Sequence, residues 1–306
     1  MTKILFPYQE LRYYSFGLKA GFKNLVCNGF RLGARRSVGK VTQPINWYTR
    51  FPEYYFFDHA ISRHILAAKA SSMPKILDIG SPKMLGLYLA RTAEVEVTLT
   101  DISPLNIDEY RMIWGGLNRG AKGHAVFQLQ DARSLESDDA EFDVVYSMSV
   151  IEHIEGASGD SQAVREMIRV LKPGGLLVVS VPFGLRYVEQ DVIGVSGAVL
   201  HTKDRKPYFF QRIYDEEAFK GRVLAAAKGL QKVDFTTIWR KHTWMHRTFG
   251  RLNENVRGSL GFVNPLLSIV GNQSCAGINT KFPVNYGRMH SLQDIYGDLI
   301  MVGVKA

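Results

Sequence analysis

The chain predicts an α/β fold in which a mostly parallel, seven-stranded sheet carries helices on both faces. Three observations predict it. From residue 75 onward, short apolar runs alternate with stretches of helical spacing, the pattern of repeated βαβ units. The run LLVVSVP at 176–182 has apolar residues on both faces, as a strand buried in a parallel sheet requires. Three acidic residues, Asp78, Asp101 and Asp131, fall at or next to the ends of such runs. An open parallel sheet binds ligands outside the carboxyl ends of its strands, so this placement points to a nucleotide-like cofactor.

Taken in order, residues 11–26 read as a basic amphipathic helix. Leu11, Tyr14, Leu18, Phe22 and Leu25 recur at helical spacing with Arg12, Lys19 and Lys23 on a flank, while Gly17 and Gly21 weaken the helix. Gly29, Gly33, Gly39 and Pro44 mark looser chain up to about residue 50. Pro52 suits the first turn of a helix over 53–70. A strand at 75–79, a helix at 84–92, a strand at 95–100 and a helix at 104–118 follow, then strands at 125–130 and 142–148. A helix over about 160–171 stops before Lys172-Pro173-Gly174-Gly175, because Pro and Gly end helices. After the strand at 176–182 come a helix at 216–228, a strand at 232–239 and a last strand at 298–304. The stretch 240–296 is long and irregular, which in a compact domain marks a functional segment or one partly ordered in its own right. The expected organisation is a basic N-terminal extension at 1–52, acting as a lid or as a membrane or partner contact. A domain at 53–306 follows, with 240–296 as a cap over the substrate.

At 306 residues, with 46% apolar and 22% charged content, the chain has enough core to fold unaided. Its two cysteines, Cys27 and Cys275, make a disulfide framework a poor reading and favour a reducing, cytoplasmic compartment. The opening MTKILFPYQELRYY lacks the apolar core of a secretory signal, and no run approaches the roughly 18 apolar residues of a membrane span. The net charge of +9 is unevenly placed: residues 1–50 carry nine Lys or Arg against Glu10 alone, and 240–257 carry five against Glu254. Basic arms on a mildly acidic core suit an anionic partner such as phosphate, lipid headgroup or nucleic acid; a solvated surface accounts for scattered cations equally well. Residues 11–26 are the expected peripheral contact with the inner face of a membrane.

The chemistry-bearing residues cluster at the strand ends. In Asp78-Ile79-Gly80-Ser81 the glycine lets the backbone turn sharply and approach a ligand, whose carboxylate the loop amides can meet. Asp101, 21 residues beyond Gly80, is placed to accept bonds from two ribose hydroxyls. A dinucleotide-dependent dehydrogenase would want GxGxxG here, and this loop has one glycine.

The pieces ILDIGS, TLTDIS, LQDA, FDVVYSMSVIEHI and VLKPGGLLVVSVP, in this order and spacing, resemble the class I S-adenosylmethionine-dependent methyltransferases. Within them the chain looks like the type 11 group, with its small-molecule and glycan methyltransferases. The resemblance covers 75–184 well, and 208–239 and 298–304 more loosely. It implies a Rossmann-like fold and S-adenosyl-L-methionine as cofactor. It also implies a binding set of Asp78, Gly80, Ser81, Asp101 and Ile102, with Asp131 taking the adenine amino group, Ala132 lending an amide, and Ser147 and Met148 lining the methionyl end. The chain departs from the family in its loop: where a second or third glycine is usual, it has Ser81-Pro82-Lys83-Met84, and Pro82 has no amide hydrogen to give.

Methyl transfer from a sulfonium is a direct displacement, in which the protein aligns the reactants and excludes water. A hydroxyl acceptor also benefits from a base. His153, after the fourth strand, is the candidate, with Glu152 to orient it; two such residues do not make a metal site. Covalent methylation of a pyrimidine ring carbon needs a catalytic cysteine, and neither Cys27 nor Cys275 lies at a catalytic strand end. Methylation of exocyclic base amines uses, in families built for it, Asn or Asp followed by two prolines where this chain reads Ser147-Met148-Ser149-Val150, so nucleic acid is a poor partner. The expected activity is O-methylation of a small-molecule or glycan/lipid-linked acceptor. An RNA methyltransferase using the basic arms and a non-catalytic cofactor-binding homologue are the alternatives. Aromatics such as Tyr13, Trp47, Tyr54, Trp244 and Phe249 together suit a lid over a sugar or lipid-linked acceptor, while taken singly each reads as packing of that lid onto the core.

Overall fold

The computed structural model describes residues 2–4, 11–28, 50–68, 72–192, 207–240, 274–279 and 296–306. Along the chain these form β1 (Thr2–Ile4), α1 (Leu11–Asn28), α2 (Arg50–Ala68), β2 (Lys75–Ile79), α3 (Met84–Thr92), β3 (Glu96–Asp101), α4 (Pro104–Leu117), β4 (His124–Leu129) and β5 (Phe142–Met148). Then come α5 (Gly159–Val170), β6 (Leu171–Gly184), β7 (Val188–Val192), β8 (Tyr208–Ile213), α6 (Glu216–Ala218), β9 (Leu230–Arg240), β10 (Ser274–Asn279) and β11 (Tyr296–Lys305).

The seven expected strands lie side by side in the order β9-β11-β6-β5-β2-β3-β4. The five from β6 to β4 are parallel, and β11 inserts antiparallel between β6 and β9. This is the Rossmann-like sheet the sequence implied, with two additions. β10 pairs antiparallel with β9 and β1 with β10, so the described sheet has nine strands. β10 comes from the stretch expected to be irregular cap, and β1 from the N-terminal extension; both join the sheet's edge. The β7–β8 hairpin is a second small sheet that periodicity did not indicate.

Alternation along each strand divides the core. Ile76, Val144, Tyr146, Met148, Val178 and Ile300 face a cluster with α1 to α4, while Leu77, Ile79, Val145, Leu177, Val179 and Met301 face α5 and the segment after α6. Successive side chains of a strand point to opposite faces, so a sheet covered on both sides needs apolar residues at every position.

Two local differences have plain causes. β6 begins at Leu171 rather than 176, because Leu171 pairs with Phe142 and the Pro-Gly-Gly stretch bulges out before Leu176 pairs with Val144. The helix expected at 216–228 starts as α6, capped by the Asp215 side chain accepting from the Ala218 amide at 2.9 Å, then widens into a π-helical turn over Phe219–Leu224.

Helix α1 packs on the core with the face opposite its apolar row. Tyr13, Gly17, Ala20, Gly21 and Asn24 are enclosed, with the Tyr13 ring 5.7 Å from Tyr54 and 5.1 Å from Tyr88. The small residues let α1 sit close to its neighbours; Asn24 of α1 comes against Gly116 of α4. Leu18, Phe22 and Val26 point outward instead. The expected boundary at residue 52 therefore runs through one packed core, and the two lid aromatics that fall among the described residues, Tyr13 and Tyr54, belong to it. Trp47, Trp244 and Phe249 lie outside the described residues.

Candidate cofactor and active site

The loop leaving β2 is fixed from below. Asp78 is completely enclosed; its Oδ1 accepts from the Ser81 amide at 3.0 Å and from Lys83 Nζ at 3.2 Å, and its Oδ2 accepts from the Tyr146 hydroxyl at 2.6 Å. Burial pushes the Asp78 carboxyl up, opposed by the Lys83 ammonium and the Tyr146 and Ser81 bonds. Burial, with Asp78 alongside, holds the Tyr146 phenol well above its ordinary value, so it stays a donor. The Asp78 side chain thus acts on the loop and on β5.

Gly80 has φ +65°, and a Cβ there would lie 2.6 Å from Val150 Cγ1. Glycine is required by backbone and by space, and its bare backbone leaves room for a close approach. Its amide donates to the Thr100 carbonyl at 3.0 Å, which pins the turn to β3.

Ser81 and Ser147 are buried braces between β2 and β5. The Met148 amide donates to Ser81 Oγ at 2.9 Å, and Ser147 Oγ donates to the Ile79 carbonyl at 3.2 Å. The Met148 side chain is in the core. These three sit at the expected strand ends but turn their side chains inward, so the polar surfaces they offer are backbone ones.

The outer half of the site opens to solvent. Asp101 ends β3; its Oδ1 accepts from the Ser103 amide at 2.9 Å and its Oδ2 from Asn106 Nδ2 at 3.2 Å, with Lys83 Nζ 3.9 Å away. Each carboxylate oxygen keeps capacity for one more donor, as a ribose diol needs. Ile102 beside it is 69% exposed, a bare apolar face of the kind a flat ring covers. Asp131 and Ala132 follow β4, half-buried. Arg133 grips Asp131 through Nε at 3.0 Å and Nη2 at 2.6 Å, and this hydrogen bonding holds its carboxyl below the ordinary range.

At the exit of β5, His153 closes a short 3-10 turn over Ile151–His153. Its Nδ1 is 2.6 Å from the Phe210 carbonyl of β8, and its ring lies 5.0 Å from the Phe210 ring. A carbonyl oxygen only accepts, so Nδ1 carries the hydrogen and Nε2 the lone pair of the neutral ring. Nε2 is 3.8 Å from buried Glu152 Oε1, and the His153 side chain is 40% exposed.

Sequence reasoning missed two features. Lys83, in the departing loop, is fully buried and donates to the Ser81 carbonyl at 2.7 Å as well as to Asp78. Its cation ties the loop down from beneath. The second is Glu53 of α2, whose Oε1 accepts from Ser149 Oγ at 3.0 Å, just past β5, and from Ser180 Oγ at 2.6 Å, within β6. Ser149 has φ +50°, a strained conformation for a non-glycine residue and one that recurs at functional sites. Nothing in the spacing of Glu53 signals this; the acid at the start of an apolar helix is the only local clue.

A doubly wound sheet with a pinned glycine turn after its first parallel strand and acidic residues at the next two strand ends defines a nucleotide-cofactor-binding α/β protein. The comparisons narrow this. Residues 77–179 match the family model described as a methyltransferase domain. A ubiquinone/menaquinone biosynthesis C-methyltransferase of Idiomarina loihiensis is 28% identical over 195 residues, 57% of this chain and 73% of that protein. The protein of the same description from Azotobacter vinelandii is 36% identical over 110 residues, 34% of this chain and 41% of its own. Among solved structures, a S-adenosylmethionine-dependent methyltransferase of Methanosarcina mazei aligns with TM-score 0.46 and 18% identity, covering 78% of this chain and 96% of that one. Residues 77–179 carry a methyltransferase domain, and the cofactor of that domain is S-adenosyl-L-methionine.

Proposed function

We propose that the protein transfers the methyl group to an oxygen of a small-molecule or glycan/lipid-linked acceptor, with His153 as the base. The observation that carries this reading is the tautomer of His153: its Nδ1–H is held by the Phe210 carbonyl, which leaves Nε2 to take a proton. Glu152, 3.8 Å from Nε2, stabilises the imidazolium that forms. Bound cofactor supplies an electrophilic methyl on sulfur. Gly80 and the loop amides would hold its amino-acid end, Asp101 its ribose and Asp131 with Ala132 its adenine. A bare turn at Gly80, open carboxylate lone pairs at Asp101 and the apolar face of Ile102 fit these groups.

One observation favours a second reading. The two curated relatives are described as C-methyltransferases acting in quinone biosynthesis. A phenol deprotonated by His153 is nucleophilic at its oxygen and at the neighbouring ring carbons, so the same base serves both outcomes. Turnover with isotope-labelled methyl on a panel of phenolic, sugar and lipid-linked hydroxyl acceptors tests this. Carbon NMR separates methyl on oxygen from methyl on carbon. His153→Gln is expected to lower kcat by roughly 10²–10⁴-fold while leaving cofactor affinity unchanged. Full activity in that variant would sink the assignment of the base.

A further inference from the structure

The outward face of α1 carries a feature that the cofactor site does not use. Leu18, Phe22 and Val26, four residues apart, form an apolar stripe with exposures of 40%, 69% and 66%. Lys19 and Lys23 are also exposed, and lie beside the stripe on the helical wheel, about 100° of rotation per residue. Helix α1 contains no acidic residue. Arg12 already serves Asp58, at 3.0 Å, and this pairing helps clamp α1 to α2. The buried face, from Tyr13 to Asn24, is occupied by the core, so among the described residues the stripe lies outside the fold's own packing.

An exposed apolar row costs solubility and is retained where something covers it. We propose that this face of α1 docks on an anionic lipid bilayer, with Leu18, Phe22 and Val26 entering the headgroup boundary and Lys19 and Lys23 meeting lipid phosphates. Charge decides for this occupant. Both cations on the exposed face stand next to the apolar row, as an interfacial helix places them. The surrounding sequence strengthens the match, since residues 1–50 hold nine Lys or Arg and one Glu. No described helix is long and apolar enough to cross a membrane, so the contact is a lateral one. The inference rests on α1 alone and does not depend on which acceptor is methylated.

The test is flotation of the full chain with vesicles of phosphatidylglycerol and phosphatidylcholine, beside vesicles of phosphatidylcholine alone. Binding to the anionic vesicles that weakens as salt rises is expected. Lys19→Gln and Lys23→Gln together should weaken it by roughly twenty-five-fold, about fivefold per lysine. Leu18→Ser with Phe22→Ser should abolish it; both positions are exposed, so thermal unfolding and cofactor titration should match the parent and show that the fold and the methyltransferase site are intact. Equal binding by parent and serine variant, or none to either vesicle, would overturn the proposal. So would a concentration-dependent dimer in light scattering that the serine variant loses while vesicle binding is absent, because the stripe would then serve a second copy of the chain.

Discussion

Lys83 Nζ stands 3.2 Å from Asp78 Oδ1 with both side chains fully enclosed beneath the loop that leaves β2. The pair answers a problem posed by the sequence. A loop with one glycine, followed by a proline, has few ways to hold its turn, and here the turn is held by a buried cation bonded to the carboxylate before it and the carbonyl after it.

Removing one member of this pair leaves the other charge buried without compensation. Lys83→Met is expected to cost about 3–5 kcal/mol of stability. Asp78→Asn combined with Lys83→Met should cost less than the sum of the two single changes, since the double variant buries no lone charge. Urea denaturation of the four proteins measures the coupling; strict additivity would show that the pair does not interact as its distance implies.

Gly80→Ala should lower both stability and cofactor affinity. The new methyl meets Val150 at 2.6 Å, and φ +65° is strained for alanine, at about 1–2 kcal/mol. Adding Val150→Ala should recover the steric part and leave the backbone part. Calorimetric titration with S-adenosylmethionine and thermal melts separate the two.

Asp101→Ala should weaken cofactor binding by roughly 10- to 100-fold, the loss of one or two hydrogen bonds to a charged acceptor at about 1.5–3 kcal/mol. The same change removes the acceptor for the Ser103 amide and Asn106, so a modest drop in melting temperature accompanies it. Asp101→Asn retains an acceptor and should fall between the two. Unchanged affinity in the alanine variant would remove the ribose role.

Acid should destabilise the fold through Glu166 and Asp160. Hydrogen bonds from Arg169 hold the Glu166 carboxyl below its ordinary 4.5. Burial works to raise Asp160, but Arg222 at 2.7 Å, Tyr214 at 2.8 Å and the Ser161 amide leave it below its ordinary 3.8. A depressed carboxyl contributes stability that is complete above the unfolded-state value and is lost as pH falls through the folded one. Denaturation midpoints should hold level down to about pH 5 and then drop. Asp160→Asn with Glu166→Gln should start less stable at neutral pH and lose less on acidification; an identical slope would assign the acid transition to other groups.

Much of the site was legible because its signals are local. Gly80 with a positive φ, an acid at the end of β3 and another after β4 follow from turn chemistry and from strand period. Ser81, Ser147 and Met148 were legible in position but not in orientation: their side chains brace β2 against β5, a relation no single strand contains. The role of Glu53 was not legible beyond an acid opening an apolar helix, since its partners lie 96 and 127 residues away.

By itself the sequence determined seven strands, their order along the chain, the double-sided core and the strand ends that carry the candidate site. Each of these follows from the two-residue period of strands, the 3.6-residue period of helices and the places where Gly and Pro interrupt them. Tertiary structure alone decided which face of α1 is buried. Leu18, Phe22 and Val26 are the more apolar side, yet Gly17, Ala20 and Gly21 face the core, because close approach of two helices favours small side chains and because Tyr13 finds Asp58, at 2.6 Å, only across that interface. Periodicity reports what a segment prefers in isolation; what it buries depends on the element that stands opposite.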